Sequence, residues 1–276
     1  ATHTPRKQHP IHQGQTSHYY QELVSQYRTA DLDNFTLLKT AEHLAKSNKL
    51  TEAASYFQAI IESSSNINKT EARLGLAIQL ANSNTLTQQE KQSARTQLTD
   101  ILENPFTPPA TRATAHYHII KLLRRDENWP QIEINALAYL NYPLDVKTHN
   151  QEILQMLARA YDNQGPEKID LAISTYTHIW VKTLFSIQNS APAIDRVCQL
   201  LWDRNNPADS ATNGGKSDRQ LAYETAYKYI RKTKDHLAQR KANLPASAIQ
   251  TWQAIKTKAT KTYPKDPDVK PFFGQP

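Results

Sequence analysis

Few residues of this 276-residue chain have the type and spacing that chemistry needs. Gly214, Gly215, Lys216 and Ser217 have the tail of a phosphate loop. Such a loop also requires a glycine five places before its Gly-Lys pair, where Ser210 stands, and a strand ahead of it. The segment is expected to be a plain loop, with Ser217 or Asp218 capping the next helix. His116 and His118 are two apart on an expected helix and point to nearly opposite sides, so one face cannot offer both to a metal. His3, His9, His12 and His18 would gather around an ion only if a segment with nothing to bury became ordered. Cys198 is the only cysteine, which excludes an internal disulfide. Beside Val197, Leu200 and Leu201 it is expected to pack rather than attack. No serine stands in a motif with a recognisable base, and paired carboxylates would have to be assembled from separate elements. We therefore expect no enzyme, no metal and no cofactor.

The elements that would position any side chains are expected to be helices. Apolar residues make up 38% of the chain, and six glycines supply few of the sharp turns that hairpins need. A stack of helices buries one face of each member and tolerates this composition better than a sphere. No run of eighteen apolar residues is present, so no membrane-spanning helix is expected. The first residue is Ala1 rather than Met, which leads us to expect that a signal peptide or anchor preceded it and to favour an extracytoplasmic, for example periplasmic, setting. The net charge of +7 is concentrated near the C-terminus. Between Lys216 and Lys270, 13 Lys and Arg face 5 Asp and Glu, which leaves 20 against 21 elsewhere.

Hydrophobic spacing gives the order of the helices. Residues 1–17 hold almost nothing apolar and are expected to be a flexible arm. Tyr20, Leu23, Val24 and Tyr27 then fall on one helix face. In 37–61, Leu37, Ala41 and Leu44 line a first helix, Ser47 and Asn48 break it, and Ala53, Phe57 and Ile60 line a second. The same order returns in 157–180, with Leu157, Ala158 and Tyr161, a break at Gly165 and Pro166, then Ala172, Tyr176 and Ile179. The small residues let antiparallel helices approach, and the tyrosines fill the space beside them. A weaker copy, 71–102, carries Leu74, Gly75 and Ile78, then Ala94, Leu98 and Ile101. Another, 116–140, carries Ile119, Ile120 and Leu123, then Trp129, Ile132, Ala136 and Tyr139. Taking Ala53, Ala94, Ile132 and Ala172 as equivalent gives spacings of 41, 38 and 40 residues, the mark of stacked helical units. A degenerate pair over 191–241 places Ala222, Ala226 and Tyr229 in the small and aromatic positions. A capping helix over 246–260 has Ile249, Trp252, Ile255 and Ala259 in a stripe. The Pro-rich 263–276 is expected to be a tail, and 18–262 one continuous repeat domain.

In these residues the chain resembles the tetratricopeptide repeat family, whose pattern sets Leu-Gly and an aromatic on a first helix, a glycine turn, then Ala and an aromatic on the second. The period here exceeds that family's usual 34 or so residues. The resemblance implies an all-α, right-handed superhelix of antiparallel helix pairs whose concave groove binds a peptide or partner protein. Lys69 and Arg73 occupy first-helix places that grip a terminal carboxylate in the chaperone-tail-binding members. That clamp is incomplete, because Leu38 and Glu42 stand where the preceding repeat should contribute. Tyr117, Lys121, Gln155 and Arg159 fall on comparable positions and would give a mixed aromatic and basic groove.

The function expected is a protein-binding scaffold or adaptor, for instance in a bacterial envelope assembly. Self-association through an end of the stack is a further possibility, and nucleic acid is not the expected partner. Two alternatives stand beside this. Lys228, Arg231, Lys232, Lys234, Arg240 and Lys241 cover a broad face of one helix, with Lys256, Lys258 and Lys261 on the next, and such a face could meet nucleic acid or an anionic surface. The chain could also be the helical accessory domain of an enzyme.

Overall fold

Local chemistry sets where the helices begin and turn. The Asp33 carboxylate accepts from the Phe35 and Thr36 N–H groups at 2.9 Å each, which caps the helix over Asn34–Lys46. Thr87 and Glu90 form a capping box ahead of Gln88–Glu103. Asn128 caps Trp129–Leu140, whose first turn holds Pro130. Turns use left-handed backbone at Asn48 (φ 60°) and at Gly165 (φ 109°), the two breaks read from the sequence.

The structure, a computed structural model, describes residues 13–66, 68–82, 87–207, 214–240 and 243–261. Among them are twelve α-helices and no strand. In chain order these are α1 Gln13–Gln26, α2 Asn34–Lys46, α3 Leu50–Glu62, α4 Lys69–Asn82, α5 Gln88–Glu103, α6 Pro109–Arg125, α7 Trp129–Leu140, α8 Asn150–Asp162, α9 Ile169–Lys182, α10 Ile187–Arg204, α11 Asp218–Arg240 and α12 Ala246–Lys261. The fold is all-α, and within each part of the chain helices pack on their sequence neighbours. Helix α1 begins inside the segment expected as an arm, while 1–12 and the tail 263–276 lie outside the described residues. The described residues fall into two compact units, the described parts of Ala1–Arg125 with Tyr142–Lys147, and of Asp126–Asn141 with Thr148–Pro276. The expected pair 116–140 is thereby divided, with α6 in the first unit and α7 in the second.

In the first unit α2 and α3 bury Leu37, Ala41 and Leu44 against Ala53, Phe57 and Ile60, as their spacing predicts. Beyond its consecutive contacts, α4 also packs on α2 and α6, so these three helices lie side by side. A helix covered on several sides needs a wide buried arc. Accordingly Ala72, Leu76, Ala77 and Ala81 are buried on α4, while Leu74 and Ile78, expected as its core, are only half-buried. Gly75 serves a close approach instead, since a Cβ there would stand 2.4 Å from Cζ of the buried Phe57 ring. Tyr27, expected on the buried face of α1, is exposed just beyond that helix.

In the second unit α7 to α11 pack in sequence, and α12 closes against α10 and α11. Ala158, Ala172, Ala222 and Ala226 are buried where the helices meet, and Tyr161, Tyr176 and Tyr229 fill the sides. Two polar contacts in this core join separate helices. Ser190 Oγ and the Tyr229 hydroxyl are 2.9 Å apart, and Trp252 Nε1 donates to Thr233 Oγ1 at 2.8 Å. Ser217 caps α11 by accepting from the Gln220 N–H at 3.3 Å, and Lys216 pairs with Glu224, so the Gly-Gly-Lys-Ser segment acts as the expected capped loop. Tyr223 is buried, whereas Tyr227, one turn on, is exposed.

Candidate binding groove

Helix α8 fixes the site. Its start is tied to α7 by the His149 N–H, which donates to the Tyr139 hydroxyl at 2.9 Å. Beyond its end, Gln164 and Lys168 each donate to the Glu133 carboxylate of α7 at 2.8 Å. Burial pushes the Glu133 carboxyl up, yet those two hydrogen bonds and the Lys168 charge outweigh it and hold the group below its ordinary value. Two anchored ends give α7 and α8 one relative placement.

Between α7, α8, α9 and α10 lies a groove of about 630 Å³, within the usual span for a ligand site. Trp129 of α7 forms one side, and Tyr176 and Ile179 of α9, with Ala193 of α10, form the apolar floor. Gln155 on α8 and Gln188 and Asn189 on α10 supply amide side chains. Pro192 also lines it and has no N–H, so the carbonyl of Gln188 one turn back lacks its helical donor.

The charges in the groove are unequal in their engagement. Arg196 of α10 donates from Nε and Nη2 to both oxygens of Asp162 on α8, at 2.6 and 2.7 Å. This fork joins two helices whose residues are 34 apart in sequence. The hydrogen bonds to Asp162 raise the Arg196 pKa, so the guanidinium stays charged at any ordinary pH. Burial, reinforced by the Asp162 charge, pushes the Tyr176 phenol up to about 12, which keeps its proton in place. Arg159, one turn before Asp162, is exposed, and its guanidinium makes no hydrogen bond or ion pair among the described residues. The groove thus presents one uncompensated positive charge.

Of the six groove residues expected from the sequence, Gln155 and Arg159 line this cavity together. The other four lie in the first unit. Lys69 opens α4, and Arg73 reaches toward Asp100 of α5 at 3.9 Å. Tyr117 is 7% exposed and so offers no surface to a partner, and Lys121 donates to Asn82 at 2.7 Å. Helix α6 is apolar almost all round, with Ala113, Ala115, Ile119, Ile120, Leu122 and Leu123 also buried, so a position counted as groove-facing is enclosed instead. The sequence reading missed the Asp162–Arg196 fork, Asn189 and Pro192. A proline inside an expected helix was the one local signal; the fork joins separate helices and leaves none.

On the C-terminal helices Lys228, Arg231, Lys232, Lys234 and Arg240 are exposed, as is Lys256. Lys241 and the side chains of Lys258, Lys261 and Ala259 lie outside those described. No family model matches the chain, and no curated protein matches it.

Proposed function

We propose that the chain is a non-enzymatic binding scaffold, of the right-handed tetratricopeptide-like kind, that holds a peptide or an extended segment of a partner protein. The observation that carries this reading is the α7–α10 groove. It combines an apolar floor, convergent amides and an aromatic side, and both ends of α8 are tied down. A preformed trough of this sort spares the entropy of ordering the receptor, so apolar anchors supply affinity and charge sets orientation. A photo-crosslinking residue placed at Gln155 should capture partners in native extract, and Trp129→Ala should abolish that capture. Equal capture from position Ser174, exposed on α9 outside the groove, would defeat the proposal.

A second reading rests on α11. Its Lys228, Arg231, Lys232, Lys234 and Arg240 form no ion pair among the described residues, a density of free cations that suits a polyanion. Retention on heparin that falls steeply with salt would support it, because counterion release demands that slope, and a flat response would remove it.

A further inference from the structure

The groove's chemistry narrows what it would hold, on the premise that the proposed binding there is right. Each charge in it has a definite status. Asp162 gives both oxygens to Arg196, so neither member of that fork has much charge left to offer. Arg159 is unpaired. A cationic side chain would therefore meet net repulsion, a neutral one would leave the guanidinium unanswered, and a carboxylate would satisfy it with charge-assisted hydrogen bonds. The amides of Gln155, Gln188 and Asn189 both donate and accept, as main-chain peptide groups also do. The Gln188 carbonyl, deprived of a helical donor by Pro192, can take a peptide N–H. Trp129, half-buried at the side of the groove, gives an apolar side chain somewhere to lie.

The length of the site follows from a second cavity. A space of about 290 Å³ at the start of α8, lined by Thr148, His149, Gln151 and Glu152, shares Gln155 and Asn189 with the groove, so the trough has a carboxylate at this end and the Arg159 guanidinium toward the other. The trough therefore follows α8 along its 13 residues, roughly 20 Å at about 1.5 Å each. Some six residues of extended chain, at about 3.3 Å each, cover that distance. We infer that the trough takes an extended polypeptide segment of about six residues, with one Asp or Glu carboxylate seated on Arg159, at the end away from Glu152, and the main chain held by Gln155, Gln188 and Asn189.

Fluorescence anisotropy with the full chain tests this, using three labelled octapeptide mixtures that are random except for one fixed Glu, Gln or Lys. The Glu mixture should bind at least tenfold more tightly than the Gln mixture, and the Lys mixture most weakly. Arg159→Gln should erase the Glu preference, bringing the Glu and Gln mixtures to equal affinity, and Arg159→Lys should keep part of it. Arg159 is exposed, so neither change threatens the fold. Equal affinity for Glu and Gln, a preference for Lys, or a Glu preference that survives Arg159→Gln would overturn the inference. In those cases a uniform loss in Trp129→Ala would leave the groove reading standing. Binding of no mixture, or indifference of all three to Trp129→Ala, would end both.

Discussion

Asp218 shows how a single residue can carry a structural joint. It is fully buried at the start of α11, and Arg204, at the end of α10, donates to its two oxygens at 2.7 Å each. The Asn206 N–H adds a third bond at 2.8 Å, and Arg204 also reaches Asp170 on α9. Burial pushes the Asp218 carboxyl up, but the Arg204 bonds, the Asn206 N–H and the Arg204 charge together hold it below its ordinary value. A carboxylate depressed on folding contributes stability that is complete above its unfolded pKa, near 4, and that disappears as pH falls through the lower folded value. Asp218→Asn should therefore cost about 3 kcal/mol in urea unfolding at pH 7, since it leaves Arg204 without its main partner. The wild type should lose stability as pH falls below about 4, and the variant should not lose that share. Parallel pH profiles would contradict the assignment. At this scale the sequence was legible only in part. Gln155 and Arg159 could be placed because groove positions recur every helical turn. Arg196 and Asp162 could not, because nothing local links them.

Elements were easier to read, and where the reading slipped the cause is packing. Helices α2, α3, α8 and α9 follow their apolar periodicity because each buries one stripe. Helices α4 and α6 have more of their circumference covered, so the periodicity of their apolar residues no longer identifies a single inner face. Gly75 illustrates the difference. Its sequence context suggested a repeat signature, and its physical role is to let the Phe57 ring lie against the backbone of α4. Gly75→Ala gains about 1 kcal/mol in helix propensity but forces that ring to move, at a cost of roughly 1–3 kcal/mol. A net lowering of stability by about 1 kcal/mol is expected by thermal unfolding. In a Phe57→Leu background the same substitution should be neutral or stabilising, because the ring atoms it would strike are gone. Equal effects in the two backgrounds would show that Phe57 and Gly75 are not coupled.

For the whole molecule, the all-α class and the succession of packed helices follow from few glycines, modest apolar content and a period near 40 residues. The division into two compact units was not legible, because the loops around residues 125 and 148 have the same polar composition as the turns inside a repeat. The groove lies wholly in the second unit, so the binding proposal depends on α7 to α10. Amide hydrogen exchange of the full chain, with and without the Glu-bearing octapeptide mixture at saturation, tests that dependence most directly. Exchange should slow along Asn150–Asp162 and in the first half of Ile187–Arg204, with α11 unchanged. Slowing confined to Asp218–Arg240, with α8 and α10 indifferent, would contradict the groove and assign recognition to the basic helix.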